Sequence, residues 1–152
     1  ATGNVWQFVM GNAPSTPIPY LYNLAGKPWR TQKRIRMLMV TWFRNDLMCI
    51  PGDEEGGGLW AFYVFSAMGF YLITPGIPEY QIGSPLFSKV IIHLDNGNTF
   101  SVVAKNNSLI NKYIQSAMLN GKKLNGPVFS HSDILNGGTL VLEMGERPGS
   151  NW

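Results

Sequence analysis

Negative charge is what this chain of 152 residues has least of. Nine Asp and Glu face twelve Lys and Arg, and charged residues make up only 14% of a composition that is 45% hydrophobic. Soluble domains ordinarily carry about a quarter charged residues. Either much of the surface is uncharged polar, or part of it lies against other protein. Cysteine occurs once, at Cys49, which excludes an intramolecular disulfide framework and a cysteine-based zinc site. No apolar run reaches the roughly 20 residues of a membrane-spanning helix, so no membrane span is expected. The opening "ATGNVWQF" carries no basic-then-apolar signal, as a mature, processed or truncated chain would not.

The scarce acids are also unevenly placed. Residues 1–45 hold Lys27, Arg30, Lys33, Arg34, Arg36 and Arg44 and no Asp or Glu. Such asymmetry can mark an anionic partner. Here the basic residues interleave with a helical apolar stripe and read as its solvated face, so nucleic acid is not expected as a partner.

Residues 1–28 are rich in Gly, Asn and Pro, which predicts an ordered loop with a short helical piece over Tyr20–Leu24. In "TQKRIRMLMVTWFRND", Ile35, Leu38, Met39, Trp42 and Phe43 recur at helical spacing, with Thr31 as the expected N-cap. "LWAFYVFSAMGFYLI" is apolar all round and predicts a helix enclosed on every side, Trp60 included. Beyond it the texture becomes that of strands. "KVIIHLDNGNTFSVVAK" reads as a hairpin turning at residues 95–98, "YIQSAMLNGKKL" as a strand with an Asn120-Gly121 turn, and "GGTLVLEMG" as a further strand. The fold class is therefore α+β, with a helical part over residues 1–84 and a β-rich part over 85–152. Two or three helices cannot close a bundle around an all-apolar helix, so the helical part looks like a slice of something larger. An apolar surface around Trp42, Phe43 and the helix from Leu59 to Tyr71 is expected to be exposed.

Three of the nine acids stand together in "CIPGDEEGGGLW". In an extended loop, Asp53 and Glu55 would point one way and Glu54 the other. The helix that follows directs its N-terminal dipole at them, which favours ionised carboxylates. Such groups suit a general base or a metal ligand, not a general acid. The glycines allow close approach to the backbone. The plainer alternative is that Glu54 and Glu55 simply favour the first turn of the helix. His93 and His131 read as structural. Ser66, Ser84 and Ser130 have no His–acid partners, which argues against a serine hydrolase.

The run "PYLYNLAGKPWRTQKRIR…IPGDEEGGGLWAFYVFSAMGFYLITPGIPEYQIGSPLFSKVIIHLDNGNTF…NKYIQSAMLNGKKL…HSDILNGGTLVLEMG" closely resembles the C-terminal part of glycoside hydrolase family 92, over about residues 11–147. The resemblance implies a calcium-dependent, inverting α-mannosidase, exported to the periplasm, cell surface or medium, with a β-sandwich domain and an (α/α)6 barrel. The helical part would be a slice of that barrel, and the rest of the barrel and the β-sandwich would be its partners. In the family, the acids after "PG" are the general-base carboxylates, which match Asp53 and Glu55, with Glu55 where the family usually has Asp. Trp6, Asn12 and Glu54 would contact a mannose-containing glycan. Calcium would take oxygen ligands, for which Asn4, Asn12, Asp53 and Glu55 are the candidates.

The chain also departs from the family. The general acid lies in a motif like "EGNxWQ", and here "ATGNVWQF" puts Thr2 at that position. "GNAPS" has Ala13 where the family usually has Glu, and the intervening segment is missing. Threonine cannot act as a general acid near neutral pH. The expectation is a portion of an inverting α-mannosidase that is inactive on its own. The alternative is a non-catalytic carbohydrate-binding or scaffold module of the same ancestry.

Overall fold

The computed structural model describes residues 4, 5, 8–47, 49–52, 54, 56–150 and 152, the first two as backbone only. The chain is α+β. A small antiparallel pair, β1 (Asn4–Val5) and β2 (Phe8–Val9), leads through two single 3-10 turns, Ala13–Ser15 and Ile18–Tyr20, into α1 (Leu21–Leu24). The long helix α2 (Pro28–Trp42) and the apolar helix α3 (Gly58–Met68) follow. Next come β3 (Phe70–Tyr71), β4 (Glu79–Ile82), β5 (Lys89–His93), β6 (Thr99–Lys105), β7 (Tyr113–Leu119), β8 (Lys122–Lys123) and β9 (Val128–Ser130). The chain finishes on α4 (His131–Leu135) and β10 (Gly138–Gly145). Among the described residues no helix is long and apolar enough to cross a membrane.

Helix α2 starts earlier than Thr31. Pro28 occupies its first turn, where a fixed φ and a missing N–H cost nothing. Thr31 is therefore not the N-cap: it is buried, and its hydroxyl donates to the Pro19 carbonyl at 3.0 Å. The apolar stripe packs as its spacing requires, with Ile35, Leu38, Met39 and Phe43 buried. With Met10, Tyr20, Leu59, Phe62 and Ala67 they form one core. Phe43 thus lies inside that core, stacked on Tyr63 at 4.9 Å and Phe62 at 6.1 Å, and is not part of an exposed patch.

Two further expectations are corrected at α3. Gly69 adopts a left-handed conformation (φ 106°) and its N–H closes on the Phe65 and Ser66 carbonyls, so the helix stops and Phe70–Tyr71 turn into a strand. Nor is α3 enclosed on every side. Leu59, Phe62, Ser66 and Ala67 are buried, whereas Trp60 is 42% and Val64 51% exposed. Trp60 misses the core because it lies on the outer side of the helix, edge-on to Tyr63.

The strands behave as their alternation predicts. β5 and β6 form the hairpin, with His93 opposite Thr99, and Asn120 and Gly121 both take positive φ (50° and 79°) at the turn into β8. The five-stranded sheet has the order β5-β6-β10-β7-β8, with β10 parallel to β6 and antiparallel to β7. β3, β4 and β9 form a separate antiparallel sheet. A second core gathers between them, built on Phe70, Ile82, Phe100, Val102, Ile114, Phe129, Leu140 and Leu142.

Arg36 is the exception to the solvated basic face. It is 5% exposed. Its guanidinium donates to the Ser84 hydroxyl (3.0 Å), the Asn107 side-chain oxygen (2.6 Å) and the carbonyls of Ser108 (2.9 Å) and Pro85. Four acceptors make burial of the charge tolerable. Burial still lowers its pKa to about 10. One turn away, the Gln32 side-chain oxygen accepts from the Ile114 N–H at 2.9 Å, so α2 is pinned to the β-rich half by two polar side chains.

Candidate active site

The acidic loop joins the core region to α3, and its glycines have separate tasks. Gly52 lies at φ 74°, and a β-carbon there would stand 2.6 Å from the Gly11 carbonyl oxygen and 2.8 Å from the Gly11 α-carbon. No other residue fits that approach. Gly56 (φ 61°) and Gly57 (φ 88°) instead have open space around the β-carbon position. Their positive φ values turn the chain into the helix.

That reversal places Glu54 over the N-terminus of α3. One carboxylate oxygen accepts from the Leu59 N–H and the other from the Trp60 N–H, each at 3.1 Å. The N-cap residue, Gly57, has no side chain to do this, and unsatisfied N–H groups of a first turn are ordinarily met by the cap. Glu54 supplies both bonds from three positions upstream. The helix dipole favours the carboxylate there as well.

The segment "GNAPS" packs directly against this loop. Gly11 touches Gly52, and the Ala13 β-carbon lies 3.7 Å from the β-carbon position of Gly58. The turn itself is held from beneath. The Tyr71 hydroxyl on β3 donates to Thr16 Oγ1 at 3.0 Å, and Thr16 Oγ1 donates to the Ala13 carbonyl at 2.9 Å. Tyr71 stacks on Tyr20 with centroids 5.3 Å apart. The Tyr20 hydroxyl donates to Ser66 on α3 at 2.9 Å. Burial pushes the Tyr20 phenol well above its ordinary range, with Tyr71 adding to the effect and the Ser66 bond opposing it. These polar pairs lie 46 and 55 positions apart in the chain, so no local pattern announces them.

Of the residues expected at the site, Glu54 and Asn12 are therefore described in full. Asn12 is exposed beside the acidic loop, and its backbone carbonyl accepts from the Ser15 N–H. Asn4 lies on β1 opposite Val9, and its side chain is outside the described residues. Asp53, Glu55, Trp6 and Thr2 are outside them altogether. Calcium takes six to eight oxygens. Among the described residues no group of three or more His, Cys, Asp or Glu side chains converges. Asn12 and Glu54, the latter with both oxygens on the helix, do not make such a site by themselves. A mostly apolar cavity of about 410 Å³ lies elsewhere, between Phe8, Ile18, Pro19 and Tyr22 and the α2 residues Arg34, Met37 and Leu38.

Residues 1–146 match the glycosyl hydrolase family 92 catalytic domain. An uncharacterized secreted glycosidase of Arthroderma benhamiae is 36% identical over 146 residues, which is 94% of this chain and 19% of that protein. Among solved structures, a family GH92 α-mannosidase from Bacteroides thetaiotaomicron superposes with a TM-score of 0.92 at 31% identity, over 97% of this chain and 20% of its own. Its complex with mannoimidazole gives a TM-score of 0.93. A family GH92 inverting mannosidase from the same organism is 43% identical with a TM-score of 0.85, over 91% of this chain and 19% of its own. The chain thus spans about a fifth of the length of the relatives it matches. It belongs to glycosyl hydrolase family 92.

Proposed function

We propose that this chain is the base-side portion of a secreted, inverting α-mannosidase, with its helical half a slice of an (α/α)6 barrel completed by other segments. The substrate is a mannose-containing glycan. Asp53 and Glu55 are the carboxylates that take a proton from the attacking water as the glycosidic bond breaks. The departing oxygen is protonated by a general acid on the other side of the sugar, and the two groups in an inverting hydrolase stand about 6.5–9.5 Å apart. That acid is not among this chain's own candidates, since Thr2 stands at the aligned position. The portion by itself is therefore inactive. Calcium would draw most of its oxygens from outside the described residues, with Asn4, Asn12, Asp53 and Glu55 as this chain's candidates.

The observation that carries this reading is the seating of "GNAPS" against "PGDEEGGG". Gly52 packs on Gly11, and Gly58 lies beside Ala13, so the segment that carries the acids in sequence is held at both ends against this turn. Glu54 is engaged by the helix, and the proposal gives the chemistry to its two neighbours. The test is hydrolysis of an α-mannoside by the complete protein that carries this segment, with the anomer first released read by proton NMR. Release of β-mannose, reduced by about 10²–10⁴-fold in Glu55→Gln, is the expected result. Turnover that survives Glu55→Gln and Asp53→Asn together overturns it.

A second reading has one observation in its favour. Ala13 presents a methyl group to the acidic loop, at a position where the resemblance implies a carboxylate. A module that binds mannosides without cleaving them would carry such a replacement. Saturable binding of mannose or mannoimidazole with no turnover, with and without calcium, would identify it.

A further inference from the structure

Glu54 stands in sequence between the two carboxylates to which the chemistry is assigned, yet both of its oxygens are engaged by backbone. Both accept backbone N–H groups, from Leu59 and Trp60, the second and third residues of α3. Three independent features converge on this arrangement. The N-cap is a glycine with no acceptor of its own. Gly56 and Gly57 take positive φ in open space, so their conformation serves the reversal of the chain and not a close contact. Helix α3 is firmly held on its inner side, with Leu59 and Phe62 fully buried and Ser66 bonded to Tyr20. The support is therefore rigid, and a bidentate carboxylate ties the loop to it at its midpoint.

We propose that Glu54 is a positioning residue: it clamps the acidic loop onto the N-terminus of α3 and so sets the placement of Asp53 and Glu55. This rests on the reading of those two as the base-side carboxylates. It removes Glu54 from the residues that contact the glycan. A charge-assisted carboxylate-to-amide bond is stronger than a neutral one, and two of them resist rotation of the loop about a single contact. Displacements of about 1 Å at a reacting group cost about 10²-fold in rate, which is the scale on which such a clamp would matter.

The experiment compares Glu54→Ala and Glu54→Gln with the unaltered complete protein, in two measurements on the same preparations. Kinetics on an α-mannoside give kcat and KM separately. Hydrogen–deuterium exchange of peptides spanning residues 56–64 reports the first turn of α3. A positioning residue predicts a kcat lowered by about 10²-fold in Glu54→Ala with KM within about threefold, and faster exchange in 56–64. Glu54→Gln, whose amide oxygen can still accept one of the two N–H groups, should recover part of both. A raised KM with kcat intact would make Glu54 a sugar ligand and overturn the proposal. Unchanged exchange would overturn it too. If the unaltered protein turns over no α-mannoside, the functional reading fails separately, and the clamp is then decided by the exchange data alone.

Discussion

Arg36 on α2 donates to the side-chain oxygen of Asn107, 2.6 Å away, across the boundary between the helical core and the β-rich core. The same guanidinium reaches Ser84, Pro85 and Ser108. Residues 71 and 72 positions apart in the chain are joined directly. Replacing Arg36 by Met keeps the stem but leaves buried acceptors without donors, at about 1–3 kcal/mol for each group that finds no other partner. Arg36→Met should lower unfolding free energy by about 2–4 kcal/mol in urea. Arg36→Lys should fall between, because one ammonium cannot reproduce the planar fork. Equal stability of all three proteins would mean that the Arg36 guanidinium does not hold the two halves together.

The Tyr20–Ser66 bond makes stability sensitive to alkali. The phenol is fully buried and its pKa is raised in the folded state, chiefly by desolvation. Tyr80 is shifted the same way for the same reason. A raised pKa means that the folded state holds its proton more tightly than the unfolded one. The contribution is fully present below the unfolded value of about 10 and is lost as pH rises beyond it. The unfolding midpoint should therefore drop steeply above about pH 10. Tyr20→Phe should flatten that drop, at a cost near neutrality of about 1 kcal/mol for the lost bond. An alkaline limb as steep in Tyr20→Phe as in the unaltered protein would place the sensitivity elsewhere.

The boundary between what could and could not be read from the chain follows the range of the interactions. The stripe Ile35, Leu38 and Met39, the hairpin at residues 95–98 and the Asn120-Gly121 turn are local patterns, and each folds as read. The end of α3 was hidden because Gly69 sits inside an uninterrupted apolar run, where only its positive φ distinguishes a stop from a tolerated glycine. Thr31 failed as a cap because Pro28 is the stronger signal for a first turn. Arg36 looked like its solvent-facing neighbours, since its acceptors are supplied 48 or more positions away. At the site, the loop "PGDEEGGG" was legible as a unit. For its middle acid the plainer alternative, a carboxylate that favours the first turn of the helix, is the one that holds, although both bonds depend on two left-handed glycines folding the chain back on the helix.

Trp60 and Val64 bring the apolar outer side of α3 to the surface of this chain. The 152-residue chain on its own should therefore bind a hydrophobic dye such as ANS and self-associate at raised concentration. Trp60→Gln combined with Val64→Gln should reduce both effects. Because neither side chain is in the core, unfolding free energy should change by no more than about 0.5 kcal/mol per substitution. A monomer that ignores the dye before any substitution would show that this side of the helix is covered.

Gly52 and Gly56 both have positive φ, but only Gly52 is also pressed against another backbone. An alanine at Gly56 would meet nothing within 4 Å and bear only the left-handed conformation at φ 61°, a penalty of about 1–2 kcal/mol. An alanine at Gly52 would bear a similar penalty and bring its methyl to 2.6 Å from the Gly11 carbonyl oxygen. Backbone cannot swing aside as a side-chain tip can, so the acidic loop and the "GNAPS" turn would have to separate. Gly52→Ala should therefore lower the melting temperature more than Gly56→Ala. On the proposed function it should also depress α-mannoside turnover of the complete protein well beyond the loss in Gly56→Ala, by about 10²-fold if the loop shifts by 1 Å. Equal losses in the two variants would mean that the contact between Gly52 and Gly11 does not set the geometry of the loop.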